Sequence, residues 1–290
     1  MILNLEIKNL KNTMTKINLC ICTKDRPFEL EKCLKSIEKS KTKPSLIIIS
    51  DDSKDKENII KSKKIISNFG KSLNIKYVKG PRKGLGANRN NCLKFIEKDA
   101  DYIHFLDDDA LIEPNFYEIM LKKIKENIRN KKIIYTGKEI RNGHIVEPRN
   151  LDFFGYFNIE TKKPETFVIN ATLFPKNLFN KIKFDELLKY GADETDIALK
   201  SKKIGYKVVY IKDAFVIHNH SKIGRKENEK YVNFSRSYVM LKRYAIFEKN
   251  ILKFILYTLL AGAKSISKGH FFSFWNALMS FIKNKKKEEL

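Results

Sequence analysis

The chain has 290 residues, 42% of them hydrophobic, which is enough apolar material for a sizeable core and excludes wholesale disorder. With 58 Lys+Arg against 34 Asp+Glu, its formal charge of +24 points to phosphate-bearing partners: a nucleotide, a nucleic acid or an anionic membrane surface. The joint abundance of Lys, Asn and Ile leaves compositional bias as a competing explanation of that charge.

The lead segment, "MILNLEIKNLKNTMTK" (1–16), has no continuous apolar stretch, so no signal peptide is expected. "INLCICT" (17–23) reads as a buried strand. The helix after it has Pro27 in its first turn and a stripe of Leu30, Cys33, Leu34 and Ile37. "SLIIIS" (45–50) is a second strand, ending in Asp51, Asp52 and Ser53. A helix then runs to Phe69 and closes on Gly70. "LNIKYVK" (73–79) is the third strand. The loop "GPRKGLG" leads into a helix, "ANRNNCLKFIEK", and "YIHFL" (102–106) is the fourth strand. Pro114 opens another helix, with Phe116, Met120, Ile124 and Ile128 on one side. Asn142-Gly143 marks a hairpin. Residues 184–211 read as a loop, a helix with an acidic start, a stop at Gly205 and a strand. From about 222 the chain turns basic and aromatic, which sets a soft domain edge between a unit at 17–221 and a helical extension at 222–290.

Strand–helix alternation with short links predicts an α/β fold, a mostly parallel sheet with helices on both faces. Ligands of such sheets bind outside the carboxyl ends of the strands. Thr23 to Arg26, Asp51 to Ser53, Gly80 to Gly86 and Asp107 to Asp109 all fall there and are expected to converge. The cysteines Cys20, Cys22, Cys33 and Cys92 form no C-x-x-C pair and sit at apolar positions, as reduced, buried thiols of a cytosolic protein do. No stretch reaches the roughly 18 apolar residues of a spanning helix. The nearest, "ILKFILYTLLAGA" (251–263), contains Lys253.

Three adjacent aspartates, Asp107, Asp108 and Asp109, disfavour each other's ionised form unless something compensates. In an extended segment Asp107 and Asp109 share a side, where two carboxylates can hold Mg²⁺ or Mn²⁺. The plainer alternative is that the cluster caps the next helix. In "GADETDIAL", Asp193, Glu194 and Asp196 are either ordinary first-turn stabilisers or include a general base. His218 and His220 follow "AFVI", and a neutral imidazole there can complete a metal shell. Arg82, Lys83 and Arg89 flank a glycine-bearing loop suited to a diphosphate, although it matches no P-loop.

Taken in order, these pieces resemble the family 2 glycosyltransferases, inverting enzymes of the GT-A fold that use a nucleotide-sugar donor. The resemblance rests on "INLCICTKDRPFELEKCLKSI", "IIISDDSKD", "GLGANRNNCL", "YIHFLDDDALIEP", "FDELLKYGADETDIALKSKKIGYKVVY" and "FVIH", and covers about 17–220. It implies a donor, with UDP-sugars first, lying against Thr23, Asp25, Arg26, Asp51 and Asp52, and a diphosphate near Arg82, Lys83, Arg89, Asp107 and Asp108. It also implies a divalent metal on Asp107, Asp109 and His218. The glycine usual after the paired aspartates is absent, and the acidic pair reads Asp193-Glu194 instead of Glu-Asp. Counting back from Asp196 makes Glu194 the base; a slip of one makes it Asp193. A hydroxyl of a glycan or lipid-linked acceptor is the expected nucleophile, in surface polysaccharide or glycoconjugate synthesis.

The aromatic and basic residues of 222–290 suit either a helix at an anionic membrane surface or a subdomain packed on the core or in a dimer. The expected location is cytoplasmic or peripheral on the cytoplasmic face of the membrane. The rival readings are a nucleic-acid-binding protein, a catalytically degenerate GT-A scaffold and a nucleotidyltransferase. The first lacks any recognition motif, and its acidic strand ends would repel a phosphate backbone.

Overall fold

The computed structural model describes residues 15–127, 130–219 and 228–288. Ile128, His220 and most of the lead segment lie outside the described residues. Strand β1 (Ile17–Thr23) is central. It pairs in parallel with β2 (Leu46–Asp51) on one side and β4 (Tyr102–Asp107) on the other, and β2 in turn carries β3 (Ile75–Lys79). The links are α1 (Pro27–Lys39), α2 (Lys56–Phe69) and α3 (Leu85–Leu93). Side chains alternate along β1: Leu19 and Ile21 join one buried cluster with Leu30, Leu34 and Ile37, while Cys20 joins the other with Ile48 and Phe105. Each such fully buried side chain contributes about 1.5–3 kcal/mol.

The sheet is parallel without interruption as far as β4 and becomes mixed beyond it, where one more parallel pair recurs among antiparallel ones. Next come β5 (Ala110–Ile112), α4 (Phe116–Glu126), β6 (Ile133–Arg141), β7 (His144–Val146), β8 (Thr172–Pro175) and β9 (Lys207–His218). The order across the sheet is β3-β2-β1-β4-β8-β6-β9-β5, with β7 on β6. β8 runs antiparallel to both β4 and β6. Parallel neighbours need a long crossover, usually a helix, and residues 147–171 form only one 3₁₀ turn, Ile169–Ala171. Arg141 and His144 close the hairpin, with Asn142 and Gly143 at positive φ between them. All four cysteines are free thiols, and three are buried.

The mixed half of the sheet returns a residue to the acidic edge. β9 pairs with β5 so that His218 lies opposite Ala110, one residue beyond Asp109. The chain after β8 forms α5 (Asp193–Lys203), and the C-terminal region forms α6 (Glu229–Lys242), a π turn (Arg243–Phe247), α7 (Ile251–Ser267) and α8 (Phe271–Glu288). Tyr238, Leu241, Tyr257, Phe274 and Phe281 build a third core with Leu188 and Leu199. The extension is therefore packed against α5 through its inner face. No helix among the described residues is long and apolar enough to cross a membrane.

Candidate active site

A helix cap is not what the aspartate cluster forms. β5 intervenes before α4, whose N-cap position is Asn115. The charges are compensated in three ways instead. Arg89 pairs with Asp107 at 3.0 Å. Arg26 reaches Asp108 at 3.0 Å and Asp109 at 2.7 Å, and the Thr23 hydroxyl donates to Asp108 at 2.7 Å. His218 Nε2 lies 2.9 Å from Asp109 Oδ1. Asp108 turns into the protein, where burial pushes its carboxyl up to about 7 against the pull of Arg26 and Thr23. Asp107 and Asp109 stay on the side that carries His218.

Those three residues fit a divalent cation. One ligand atom from each lies within 4.8 Å of the others, and two carboxylates with one imidazole make a suitable donor set. His218 Nδ1 lies 2.9 Å from Glu139 Oε1. A buried carboxylate there fixes the ring and directs Nε2 toward Asp109, as in many metal sites. Burial disfavours the imidazolium, but Asp109 and Glu139 outweigh it and raise His218 to about 10. Burial likewise raises both carboxyls, yet His218 with Arg26 holds Asp109 at about 2, and His218 with Arg141 holds Glu139 at about 2.

Asn170 completes this edge. Its Oδ1 accepts from the Asp107 amide at 2.8 Å, and its Nδ2 lies 3.1 Å from Asp107 Oδ2 and 3.2 Å from Glu139 Oε2. Its own carbonyl is held by buried His104 at 2.8 Å. Neither Glu139 nor Asn170 stood out in the sequence. "KEIR" shows an ordinary strand charge, and nothing in "FVINA" marks the turn.

The β2 and β3 ends form an adjoining polar rim. Asp51 accepts from the Ser53 amide and the Tyr77 hydroxyl, each at 2.8 Å. Asp52 accepts from the Arg82 amide at 2.8 Å, and the Arg82 side chain reaches the Ser53 carbonyl at 2.6 Å. A Cβ on Gly80 would sit 2.1 Å from Asp52 Oδ1, so only glycine lets the third strand end approach this closely. Asp25 caps the Lys54 and Asp55 amides at 3.3 Å each. Asn88 and Asn91 of α3 bind the Ser50 carbonyl and hydroxyl, which ties that helix to the strand ends. Lys83 is exposed on the same loop.

Arg89 differs from its expected setting as an open diphosphate ligand. It is 3% exposed, and its two amino groups are taken by Asp107 and Asp193. Burial opposes its charge, but those two acids keep its pKa raised. It works as a bridge that brings the two acid clusters together. Asp193, buried against it, is raised by burial. Glu194 is partly exposed, and its carboxylate makes no hydrogen bond among the described residues. Burial and neighbouring Asp193 push it up to about 7, against Arg141. Such a carboxyl can exchange protons near neutrality.

A parallel half-sheet with acids at its carboxyl edge, continued by a mixed half that brings a histidine back to them, is the architecture of the GT-A glycosyltransferases. The chain belongs to glycosyl transferase family 2, whose model matches residues 19–182. It is 24% identical over 273 residues to a GalNAc(5)-diNAcBac-PP-undecaprenol beta-1,3-glucosyltransferase of Campylobacter jejuni, covering 82% of this chain and 85% of that one. Among solved structures, S. aureus TarS 1-349 in complex with UDP-GlcNAc matches at a TM-score of 0.58 and 17% identity, over 93% of this chain and 81% of that chain. The chain spans only 40% of a longer TarS chain. GalNAc-T7 with UDP, GalNAc and Mn²⁺ matches at 0.62 and 14% identity, over 79% of this chain and 48% of that chain.

Proposed function

We propose that the protein is an inverting, cation-dependent glycosyltransferase that moves a sugar from a UDP-sugar to a hydroxyl of a lipid-linked glycan at an anionic membrane surface. The observation that carries this reading is the Arg89 bridge, which holds the Asp107–Asp109–His218 cluster and the Asp193–Glu194 pair in one site. UDP as the donor nucleotide is supported by the UDP complexes among the similar folds. A lipid-linked acceptor is supported by the relative's substrate, a diphospho-undecaprenol glycan.

Asp51, Asp52, Arg82 and Lys83 would line the donor's nucleoside and diphosphate. Thr23, Arg26 and Asp108 engage one another and act behind that surface, holding Asp109 in place. A divalent ion on Asp107, Asp109 and His218 would neutralise the charge that builds on the leaving diphosphate, and the imidazole nitrogen among the donors favours Mn²⁺ over Mg²⁺. Glu194 takes the proton of the acceptor hydroxyl. The hydroxyl oxygen forms the new bond to the anomeric carbon from the face opposite the nucleotide. The old carbon–oxygen bond breaks, and its electron pair leaves with the diphosphate, which inverts the configuration. Asp109→Ala and EDTA should each abolish transfer from a UDP-sugar to a lipid-linked acceptor extract. Full activity in either case would rule out the cation assignment.

The outer faces of α7 and α8 support the membrane side of this reading. Leu252, Ile255, Leu256, Leu259 and Ile266 are exposed on α7, and Phe272 (79%), Trp275 (47%), Met279 and Ile282 on α8. Residues 251–287 carry seven lysines and no acid. Exposed apolar residues on this scale, set among lysines alone, suit a helix pair lying in the interface of an anionic bilayer. The full chain should sediment with phosphatidylcholine vesicles that contain phosphatidylglycerol, and much less with phosphatidylcholine alone. The double substitution Leu259→Glu and Phe272→Glu should release it at an unchanged melting temperature. Unchanged sedimentation of that variant would sink the assignment, as would a dimer in light scattering that the same variant dissociates.

A further inference from the structure

Between α6, α7 and the segment Phe154–Tyr156 lies a cavity of about 280 Å³ that the transfer chemistry does not use. Its aromatic floor is built deliberately into the backbone. Asp152 Oδ1 accepts from the Phe154 and Tyr156 amides, each at 2.9 Å, which fixes a tight turn. Gly155 occupies that turn at φ +84, and a Cβ there would meet Met240 of α6 at 2.8 Å. The turn is thereby pressed onto α6, with Phe154 and Tyr156 presented to the cavity.

Two cations converge on that floor. The Arg236 guanidinium lies 4.3 Å from the Tyr156 ring centre and donates to its hydroxyl at 2.9 Å. Lys264 Nζ lies 4.2 Å from the Phe154 ring centre and 5.1 Å from that of Tyr156. Neither is paired with a carboxylate among the described residues. Lys268 and His270 stand at the rim. The one acid of the lining, Glu229, is largely exposed and faces His270 at 3.5 Å. Cation–π packing alone would account for Arg236 and Lys264. It would not account for Asn233, whose Nδ2 is buried in the same lining without an acceptor. A buried donor left in that state is destabilising. An anion held by Arg236 and Lys264 would supply an acceptor to this amide in the same lining.

The surroundings narrow the kind of anion. His270 at the rim is followed at once by Phe271, Phe272 and Trp275 on the exposed face of α8. The other side of α6 leads toward the acid pair, because Ser235 donates to the Tyr190 carbonyl at 3.0 Å and Val232 packs on Gly191, just before Asp193. We propose that the cavity is an anion site for the phosphate or diphosphate head of an amphiphile, with its hydrocarbon carried over the Phe271–Trp275 surface. This rests on the lipid-linked acceptor of the reading above and assigns the place where that acceptor's charged linkage is gripped.

The test measures binding instead of turnover. The full chain, with excess UDP and Mn²⁺ filling the donor site, is titrated with geranylgeranyl diphosphate in non-ionic detergent and, separately, with inorganic pyrophosphate. The lipid diphosphate should bind more tightly than pyrophosphate. Arg236→Gln and Lys264→Gln should each weaken it about tenfold or more. Asn233→Asp, which keeps the size and adds a repelling charge, should do the same. Unchanged affinity in these variants, with the wild-type circular dichroism spectrum, would overturn the site. Pyrophosphate binding as tightly as the lipid would overturn the amphiphile. Glu194→Gln should bind the lipid diphosphate as wild type does, so failure of the catalytic assignment is read separately from failure of this one.

Discussion

Glu194→Gln is expected to lower kcat by about 10²–10⁴, the range a positioned general base contributes, while leaving UDP binding intact. The amide keeps the size of the side chain, and Glu194 makes no hydrogen bond that the change would break. The pH profile adds a second readout. A base must be deprotonated to act, and Glu194 sits at about 7 because burial and Asp193 disfavour its charge. The wild-type kcat/KM should therefore fall about tenfold per pH unit below 7 and level off above it, and Glu194→Gln should lose this limb. Stability should move the opposite way. A carboxyl raised in the folded state binds more protons folded than unfolded between its ordinary pKa and 7, so its contribution to stability declines as pH rises through that window. The uncharged variant should melt higher than wild type at pH 8 and show no such gain at pH 4. A Glu194→Gln enzyme that kept its rate while Asp193→Asn lost it would move the base to Asp193.

The first half of this fold and the general location of the site are readable in the sequence because their physics is local. Strand 17–23 and its partners carry continuous β-branched or apolar runs, and the polar residues gather at one end of each. Asp107, Asp109 and His218 are recognisable by residue type, and the structure brings them to one place. What was not readable depends on contacts remote in sequence. Glu139 becomes part of the cluster only because the register of β6 and β9 sets Arg141 beside His218. Arg89, which with Arg82 and Lys83 flanks a glycine-bearing loop, reads as a phosphate ligand. Only the tertiary fold brings Asp193, at the start of α5, to it and buries both. The antiparallel entry of β8 follows from an irregular segment without periodicity, where pattern reading has no purchase.

Lys242→Ala should be among the most destabilising single changes outside the sheet. Lys242 is fully buried at 0% exposure, where a lysine is tolerated only if its charge is matched. Its Nζ lies 2.9 Å from Asp185 and 2.6 Å from Asp196. Removing it takes a countercharge away from two buried carboxylates, and breaking a buried pair in this way costs about 3–5 kcal/mol. Asp196 keeps Lys200 at 2.6 Å, which favours the lower end of that range. At roughly 2–4 °C per kcal/mol for a chain near this size, the melting temperature should drop by about 10 °C. Lys242→Met combined with Asp196→Asn should recover much of the loss, since replacing both members of a buried pair is far milder than stranding one. The pair also links the C-terminal helices to catalysis. Asp196 lies on α5 two residues beyond Glu194, so Lys242 pins the helix that aims the base. Under conditions where Lys242→Ala stays folded, kcat should fall while the KM for the donor holds, because the donor side of the site lies on β1 to β4. A variant that melted like wild type would show that the charges of Asp185 and Asp196 are met elsewhere and that α6 is not what holds α5 in position.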